Sequence, residues 1–390
     1  MARRLALSDP QDEESFWRMV RTEFLIPEDR LFMNVGTLGP QPRPVVDAVI
    51  ETTRRTAMTY PPGVDWDTLK STLGGILHAD PAGFVFPRNT TEGMSFVANG
   101  LELHAGDEIL TTNQEHIGGR CCWELAAARH HLRLRKLPLP VPPRDPQDLV
   151  RLFADAITPA TRVISLAHVT FTNGTLMPVA DIVRLARSHG IISVIDGAHP
   201  PGLMPVDVSA IDPDFYASSP HKWLLAAQGT GFLYIRKSWR RKLWPTLASG
   251  GWDDLDLGAQ RFNHLGTFDE SRMAGLLAAL RFHQAVGPDR AYARARTLRL
   301  RLYDALSETP GVHLKSARDE PLVSGMVSFQ VDGVEALELQ RRLARRPEKV
   351  RTRVISEFGL GWMRLSPHIY NSPEEVDRIV ELIAEEARRA

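Results

Sequence analysis

The sequence predicts an α/β protein in which a large domain with a mostly parallel sheet is followed by a smaller α+β domain. Between about residues 85 and 236, short β-branched runs alternate with helical patterns, the signature of strands joined by crossover helices. Beyond about residue 268 the pattern changes to long amphipathic helices that lead into a few strands. A chain of 390 residues is also long enough for one large or two medium domains and an enclosed site. The expected division is an N-terminal segment, 1–30, packing with the small domain, then a large α/β domain, 31–260, and a small C-terminal α+β domain, 261–390.

Taken in order, the strands of the large domain are "DEILTT", "RVISLAHV", "IISVID", "DFYAS" and "GTGFLYIR", each a short apolar run bounded by turn residues. Helical patterns lie between several of them; "VADIVRLARSHG" ends on Gly190, a residue suited to a left-handed cap. A proline-rich connector, "LPLPVPPRDP", spans 137–146. In the C-terminal part, the helices "SRMAGLLAALRFHQAVG" and "DRAYARARTLRLRLYDAL" precede the strands "GMVSFQV" and "WMRLS". The last helix opens at Ser372-Pro373-Glu374-Glu375, where Ser372 caps, Pro373 fits the first turn and Glu375 completes a capping box.

The 47 basic and 47 acidic residues cancel, so there is no electrostatic case for nucleic acid or an anionic membrane. The basic pieces "IRKSWRRK" and "RRLARRPEK" read as solvated helix faces. The two cysteines, Cys121 and Cys122, are neighbours, too few for a disulfide framework or a four-thiolate zinc site. "MARRLALSDPQDEE" carries no apolar region of signal length, and no stretch is long enough to span a membrane. The expectation is a cytoplasmic protein without membrane, nucleic-acid or metal partners.

In a parallel sheet, ligands collect beyond the carboxyl ends of the strands. After "DEILTT" comes Glu115-His116; after "RVISLAHV", "TFTNG"; after "IISVI", Asp196-Gly197-Ala198-His199; after "DFYA", Ser218 to Lys222. Four successive strands thus deliver chemistry-bearing residues to one edge. Pyridoxal phosphate (PLP) needs about this set: a lysine amine to bind its aldehyde, a carboxylate to keep its pyridine nitrogen protonated, and donors for its phosphate. Asp196 supplies the carboxylate, and Lys222, between an imidazole and an indole in "SSPHKW", an amine made nucleophilic by burial. In "RNTTEGMSF" the free amides of a helix entry and the hydroxyls of Thr90 and Thr91 suit an anion, and His116 offers a flat ring to stack on the pyridine.

The segments "VIDGAHPPG", "SSPHKW", "NTTEG" and "RLSPHIYNSPEEVD" resemble the class V aminotransferase family of fold-type-I PLP enzymes. The resemblance is strongest to its branch of isopenicillin N epimerase-like proteins and cysteine or cystine carbon–sulfur lyases, with cysteine desulfurases as cousins. It runs from "LFMNVGTLGPQPRPV" to the C-terminal helix. It implies that Lys222 holds the cofactor covalently, that Asp196 partners the pyridine nitrogen, and that His199 hydrogen-bonds the phenolic oxygen, where desulfurases have glutamine. It further implies Ser219 and His221, with Thr90 and Thr91, as phosphate ligands, and His116 as the stacking ring. Gly266-Thr267 is similar to the pair that reaches the neighbouring subunit's phosphate, which implies a homodimer with shared sites. Arg364 would hold the substrate α-carboxylate, a role suited to a guanidinium, and Asn34 and Gly36 belong to the loop over the substrate.

Two departures narrow the implied activity. The stretch "KVRTRVISEFGLGWMR" lacks the nucleophilic cysteine of a desulfurase, and in "HVTFTNG" Phe171 stands where desulfurases place an asparagine, leaving that contact to Thr172, Asn173 or His199. The expected function is carbon–sulfur lysis by β-elimination on a cysteine-derived amino acid, in small-molecule biosynthesis. Epimerisation, transamination and oxidative decarboxylation or deamination are the alternatives on the same scaffold. Outside enzymes, the alternative is a PLP- or ligand-binding sensor.

Each residue also has a plainer reading. Lys222 alone is a surface lysine, Asp196 a helix cap, Arg364 a salt-bridge residue, and His116, His199 and His221 structural histidines. His130-His131 lacks acidic or thiol companions at ligand spacing and reads as helix surface. "AQGTGFL" is not a dinucleotide fingerprint. Trp123, Trp223, Trp252 and Trp362 are expected in the core or the site wall.

Overall fold

A computed structural model describes residues 13–58, 64–263 and 266–389. Its centre is a seven-stranded sheet. The strands are β1 (Phe84–Val85), β2 (Glu108–Thr112), β3 (Arg133–Leu137), β4 (Thr161–Ala167), β5 (Ile192–Asp196), β6 (Phe215–Ser218) and β7 (Phe232–Ile235). They lie in the order β1-β7-β6-β5-β4-β2-β3. Pairing is parallel from β3 through to β6, while β7 runs antiparallel to both β6 and β1.

Adjacent residues of each strand enter different cores. Leu110, Ile164, Ile195, Tyr216 and Phe232 belong to one apolar cluster, and their neighbours Ile109, Val163, Val194, Phe215 and Leu233 to another. Such period-2 partition, with both faces covered, explains why these runs are buried almost throughout rather than alternating between core and solvent. The edge strand β3, "RLRKL", is largely exposed; charged residues on an edge discourage pairing with other chains. Its polarity also hid it from pattern reading, since it carries no alternating apolar face toward the core.

The second sheet is antiparallel, in the order β10 (Arg353–Ile355), β11 (Trp362–Leu365), β9 (Val327–Val331), β8 (Val312–Leu314). It has its own core, in which Val327, Phe329, Met363 and Leu365 meet Leu298, Leu302, Ile379 and Ile383 from the helices Pro288–Ser307 and Pro373–Ala387. The last helix carries the expected reciprocal cap: Glu375 N donates to Ser372 Oγ, and the Glu375 carboxylate accepts from Ser372 N.

Residues 31–36 run between the sheets. Met33 N donates to Arg351 O at 2.9 Å, Ser366 N to Met33 O at 2.9 Å, and Asn34 forms a parallel bridge with Ser366. The helix Glu13–Arg21 adds Phe16, Trp17 and Val20 to a core shared with Trp223, Phe282, Met326 and Tyr370. Both sheets are thereby held against the loop that follows β6. Among the described residues no helix is long and apolar enough to cross a membrane, and no His/Cys/Asp/Glu group is arranged to hold a metal ion.

Candidate active site

The chain passes from β2 outward to β3 and then back to β4 on the other side of β2, so the sheet reverses direction between β2 and β4, the place where open parallel sheets bind ligands. A cavity of about 500 Å³ opens there. It is lined by Thr90 and Thr91, His116, Asp196 and His199, Ser219, His221 and Lys222, and, from the second sheet's side, by Asn34, Gly36 and Arg364. Every site residue expected from sequence is in this set except Thr267, which is exposed in the segment before the helix Ser271–Val286.

Thr90 opens the helix Thr90–Gly100 behind the cap Asn89, whose side chain accepts from Glu92 N. Its backbone N–H donates to Ser219 Oγ at 3.0 Å, and the two hydroxyls lie 2.7 Å apart. Hydroxyls gathered at a helix N-terminus make an anion-binding end. His221 joins it with its Nδ1–H bound to Thr230 O at 2.9 Å.

At the other end, Asp196 terminates β5, 5% exposed, with Oδ1 accepting from Ala198 N at 3.0 Å. Burial raises its carboxyl above the usual range, and the charge of Lys222 opposes that. The helix Ile117–His130 approaches so closely that a Cβ on Gly119 would stand 2.7 Å from Asp196 Oδ2, and one on Gly118 2.2 Å from Thr91 Oγ1. The "GG" after His116 is therefore demanded by contact. His116 caps this helix, its Nδ1 accepting from Gly118 N at 3.1 Å; its ring meets Phe171 edge-on with centroids 5.0 Å apart. His116 thus has the plainer structural role of a helix cap and also lines the cavity.

Lys222 is pushed down to about 8, first by burial and then by the charge of Arg364, against the pull of Asp196. Burial and the positive Lys222 push His116 down to about 3, His221 to about 4, and His199 well below the usual imidazole range. Arg364, 2% exposed, donates from Nη1 to Phe171 O at 2.6 Å and from Nη2 to Thr37 Oγ1 at 3.2 Å. Its buried Nε has no partner, and a Cβ on Gly36 would come within 3.1 Å of Nη2.

Of the three candidates for the contact displaced by Phe171, only His199 faces the cavity. Thr172 donates to Gln114 and Asn173 donates to Lys315 O, so both tie the loop to neighbouring segments. Trp223 is 1% exposed, and its indole N–H donates to His199 Nδ1 at 3.1 Å. Trp123 and Trp362 are buried as expected, but Trp252 is not: it is 42% exposed and tilts against Trp244. Sequence also missed Arg351, Arg353 and Gln340 in the cavity wall, polar residues set among core positions of the small domain and without a motif of their own. Glu115, fully enclosed beside Asp196, is raised to about 8 mainly by burial.

A PLP molecule suits what these residues offer: an anion end of hydroxyls and helix amides, a carboxylate at the far end, a flat ring in the wall and a buried amine. The family description for class V aminotransferases matches residues 66–379. An isopenicillin N epimerase from Streptomyces clavuligerus is 31% identical, covering 94% of this chain and 97% of the relative. A probable cysteine desulfurase from Methanothermobacter thermautotrophicus is 26% identical over 94% of this chain and 97% of its own length. Among solved structures, the cystine C-S lyase C-DES with its reaction product cysteine persulfide superposes with a TM-score of 0.82 at 26% identity, covering 92% of this chain and 98% of that one. A lysine mutant of C-DES, with glycine covalently linked to its PLP cofactor, gives 0.83 at 25% identity, covering 94% of this chain and 99% of that one. The chain belongs to the class V aminotransferase family and is a PLP-dependent enzyme.

Proposed function

We propose that this enzyme cleaves the carbon–sulfur bond of a cysteine-derived amino acid by β-elimination, giving a thiol, pyruvate and ammonia. The observation that carries the reading is the convergence of Lys222, Asp196 and Arg364 in one cavity whose described lining contains no thiol. Cys121 is exposed, and Cys122 is buried with its Sγ turned to Gly119 O, so neither is placed to take sulfur as a persulfide.

Lys222 would hold PLP, Asp196 would face its ring nitrogen, and Thr90, Thr91, Ser219 and His221 would hold its phosphate. When bound, PLP supplies an electron sink that acidifies the substrate's α-proton. Arg364 fixes the α-carboxylate with a guanidinium already held by Phe171 O and Thr37. Lys222, with its depressed basicity, takes the α-proton; the Cα–H electron pair closes a Cα=Cβ double bond as the Cβ–S pair leaves with sulfur as thiolate, which takes a proton from the ammonium so formed, and the released enamine takes up one water to give pyruvate and ammonia. His116 and His199 wall the cavity and exclude water.

A homodimer belongs to the same proposal. Thr267 adjoins Phe268, which is exposed and lines a groove with Leu247, Arg88 and Glu92, beside the loop that leads into the anion end. A second copy seated there would bring Thr267 to its neighbour's phosphate. The enzyme is proposed to work in the cytoplasm, in small-molecule biosynthesis.

Epimerisation is the second reading, favoured by the isopenicillin N epimerases among the relatives. Incubating the holoenzyme with S-substituted L-cysteines separates the two. Thiol and pyruvate in equal amounts support elimination; a D-isomer without thiol refutes it.

A further inference from the structure

Lys222 and Trp223 are adjacent in the chain but belong to different layers. Lys222 lines the cavity, whereas Trp223 lies behind its wall, in the core that also holds Phe282, Met326 and Tyr370. Its place there is tightly set. A Cβ on Gly325 would stand 2.9 Å from Trp223 Cη2, and one on Gly202 2.5 Å from the Trp223 carbonyl carbon, so neither neighbour has room for a side chain. His368 Nε2 lies 2.8 Å from Trp223 O, and the two rings meet edge-on with centroids 5.3 Å apart. The indole is thereby held in one position, with its N–H directed at His199 Nδ1.

An indole N–H can only donate. His199 Nδ1 therefore carries a lone pair, and the ring's proton sits on Nε2. Burial, then the charges of Lys222 and Arg364 and the neighbouring His116, disfavour a second proton. His199 lines the cavity, and its Nε2 has no partner among the described residues. The cavity thus meets an N–H at this position. Without the indole either nitrogen could hold the proton, because which one does so is set by the bond the other makes.

We propose that Trp223 is a positioning residue that makes His199 a hydrogen-bond donor toward the bound cofactor. It lines no part of the cavity and acts through the imidazole alone. This rests on the PLP reading of the site, in which His199 serves the phenolic oxygen, and deepens it. That oxygen carries lone pairs and needs a donor, which Nε2–H supplies and a bare Nε2 does not. A glutamine at this position has an N–H of its own to offer and needs no such partner. A histidine does, and the indole one layer further from the cavity provides it.

Nitrogen-15 NMR of the histidines in the apoprotein reads the tautomer directly and needs no variant. His199 should show a pyridine-like Nδ1 and a pyrrole-like Nε2; the reverse overturns the inference and leaves the PLP reading intact. Trp223→Phe keeps an aromatic ring without the N–H, and should bring the two His199 signals toward each other, as exchanging tautomers do, while those of His116 stay in place. The PLP-loaded protein gives a second readout, the pH titration of its visible band. A donor on the phenolic oxygen weakens that oxygen's hold on the proton of the lysine nitrogen joined to the cofactor, so Trp223→Phe should raise the midpoint, by about one pH unit for a hydrogen bond to a charged group. In a His199→Gln background, whose amide donates unaided, the same substitution should leave the midpoint where it is. An equal rise in both backgrounds marks a packing effect and overturns the inference. No visible band after addition of PLP overturns the PLP reading and the inference with it.

Discussion

Gly119→Ala gives the sharpest test of how the cavity is built. The glycine lies in a helix, where alanine is ordinarily favoured by roughly 0.5–1 kcal/mol. Here the added Cβ meets Asp196 Oδ2 at 2.7 Å, against ordinary contact beginning at 3.4 Å, so 0.7 Å must be found. The strand end carrying Asp196 is buried and its other oxygen is tied to Ala198 N, so the carboxylate has to turn. Overpacking of this kind costs about 1–3 kcal/mol, which outweighs the helix preference, and a shift beyond ~0.5 Å exceeds what a preorganised site tolerates. We expect PLP affinity, measured by absorbance titration of the apoprotein, to fall about 5–150-fold, the equivalent of that energy. Gly75→Ala is the matched control, since its Cβ would meet nothing within 4 Å; it should leave affinity unchanged. If Gly119→Ala binds PLP like the parent while folded, the proposed contact between helix and carboxylate does no functional service.

Arg364→Lys should keep the charge but lose the planar fork, raising KM for the amino acid more than it lowers kcat, with kcat/KM down about 10–150-fold for ~1.5–3 kcal/mol; steady-state kinetics decides. PLP capture by the apoenzyme needs a neutral Lys222, so its rate should rise with pH, reach half its maximum near 8 and level off above that rather than continue toward the free-lysine value, as stopped-flow absorbance will show. Glu115 is raised to about 8; between its unfolded value and 8 the folded state binds the extra proton, so this contribution to stability is lost as pH rises. Glu115→Gln should therefore gain stability over the parent, by a few kcal/mol, as pH climbs from 5 to 8 in denaturant titrations. Ser372→Ala should cost ~1 kcal/mol of stability through the lost cap and leave PLP affinity alone.

The parallel strands were legible because burial on both faces gives β2, β4, β5 and β6 apolar centres, and the polar residues after them mark the ligand edge. Strands with little burial gave no such mark: β3 is a charged edge and β8 is three residues long. In the site, residues whose chemistry is intrinsic, such as Lys222, Asp196 and Arg364, were readable. Residues that matter through a neighbour were not. Trp223 fixes His199 across 24 positions, and Gly119 yields space to Asp196 across 77, relations that only the fold creates. The exposure of Trp252 illustrates the same limit, since a tryptophan carries no signal that separates a core from an outer surface.

The central claim is that Lys222 carries the cofactor covalently and performs the proton transfer. Borohydride reduction of the PLP-loaded protein, followed by peptide mass spectrometry, tests it most directly. The account predicts the mass of the reduced phosphopyridoxyl group on the peptide containing Lys222 and none on the Lys222→Ala variant. A label on another lysine, or none on a protein that binds PLP and cleaves its substrate, would contradict it.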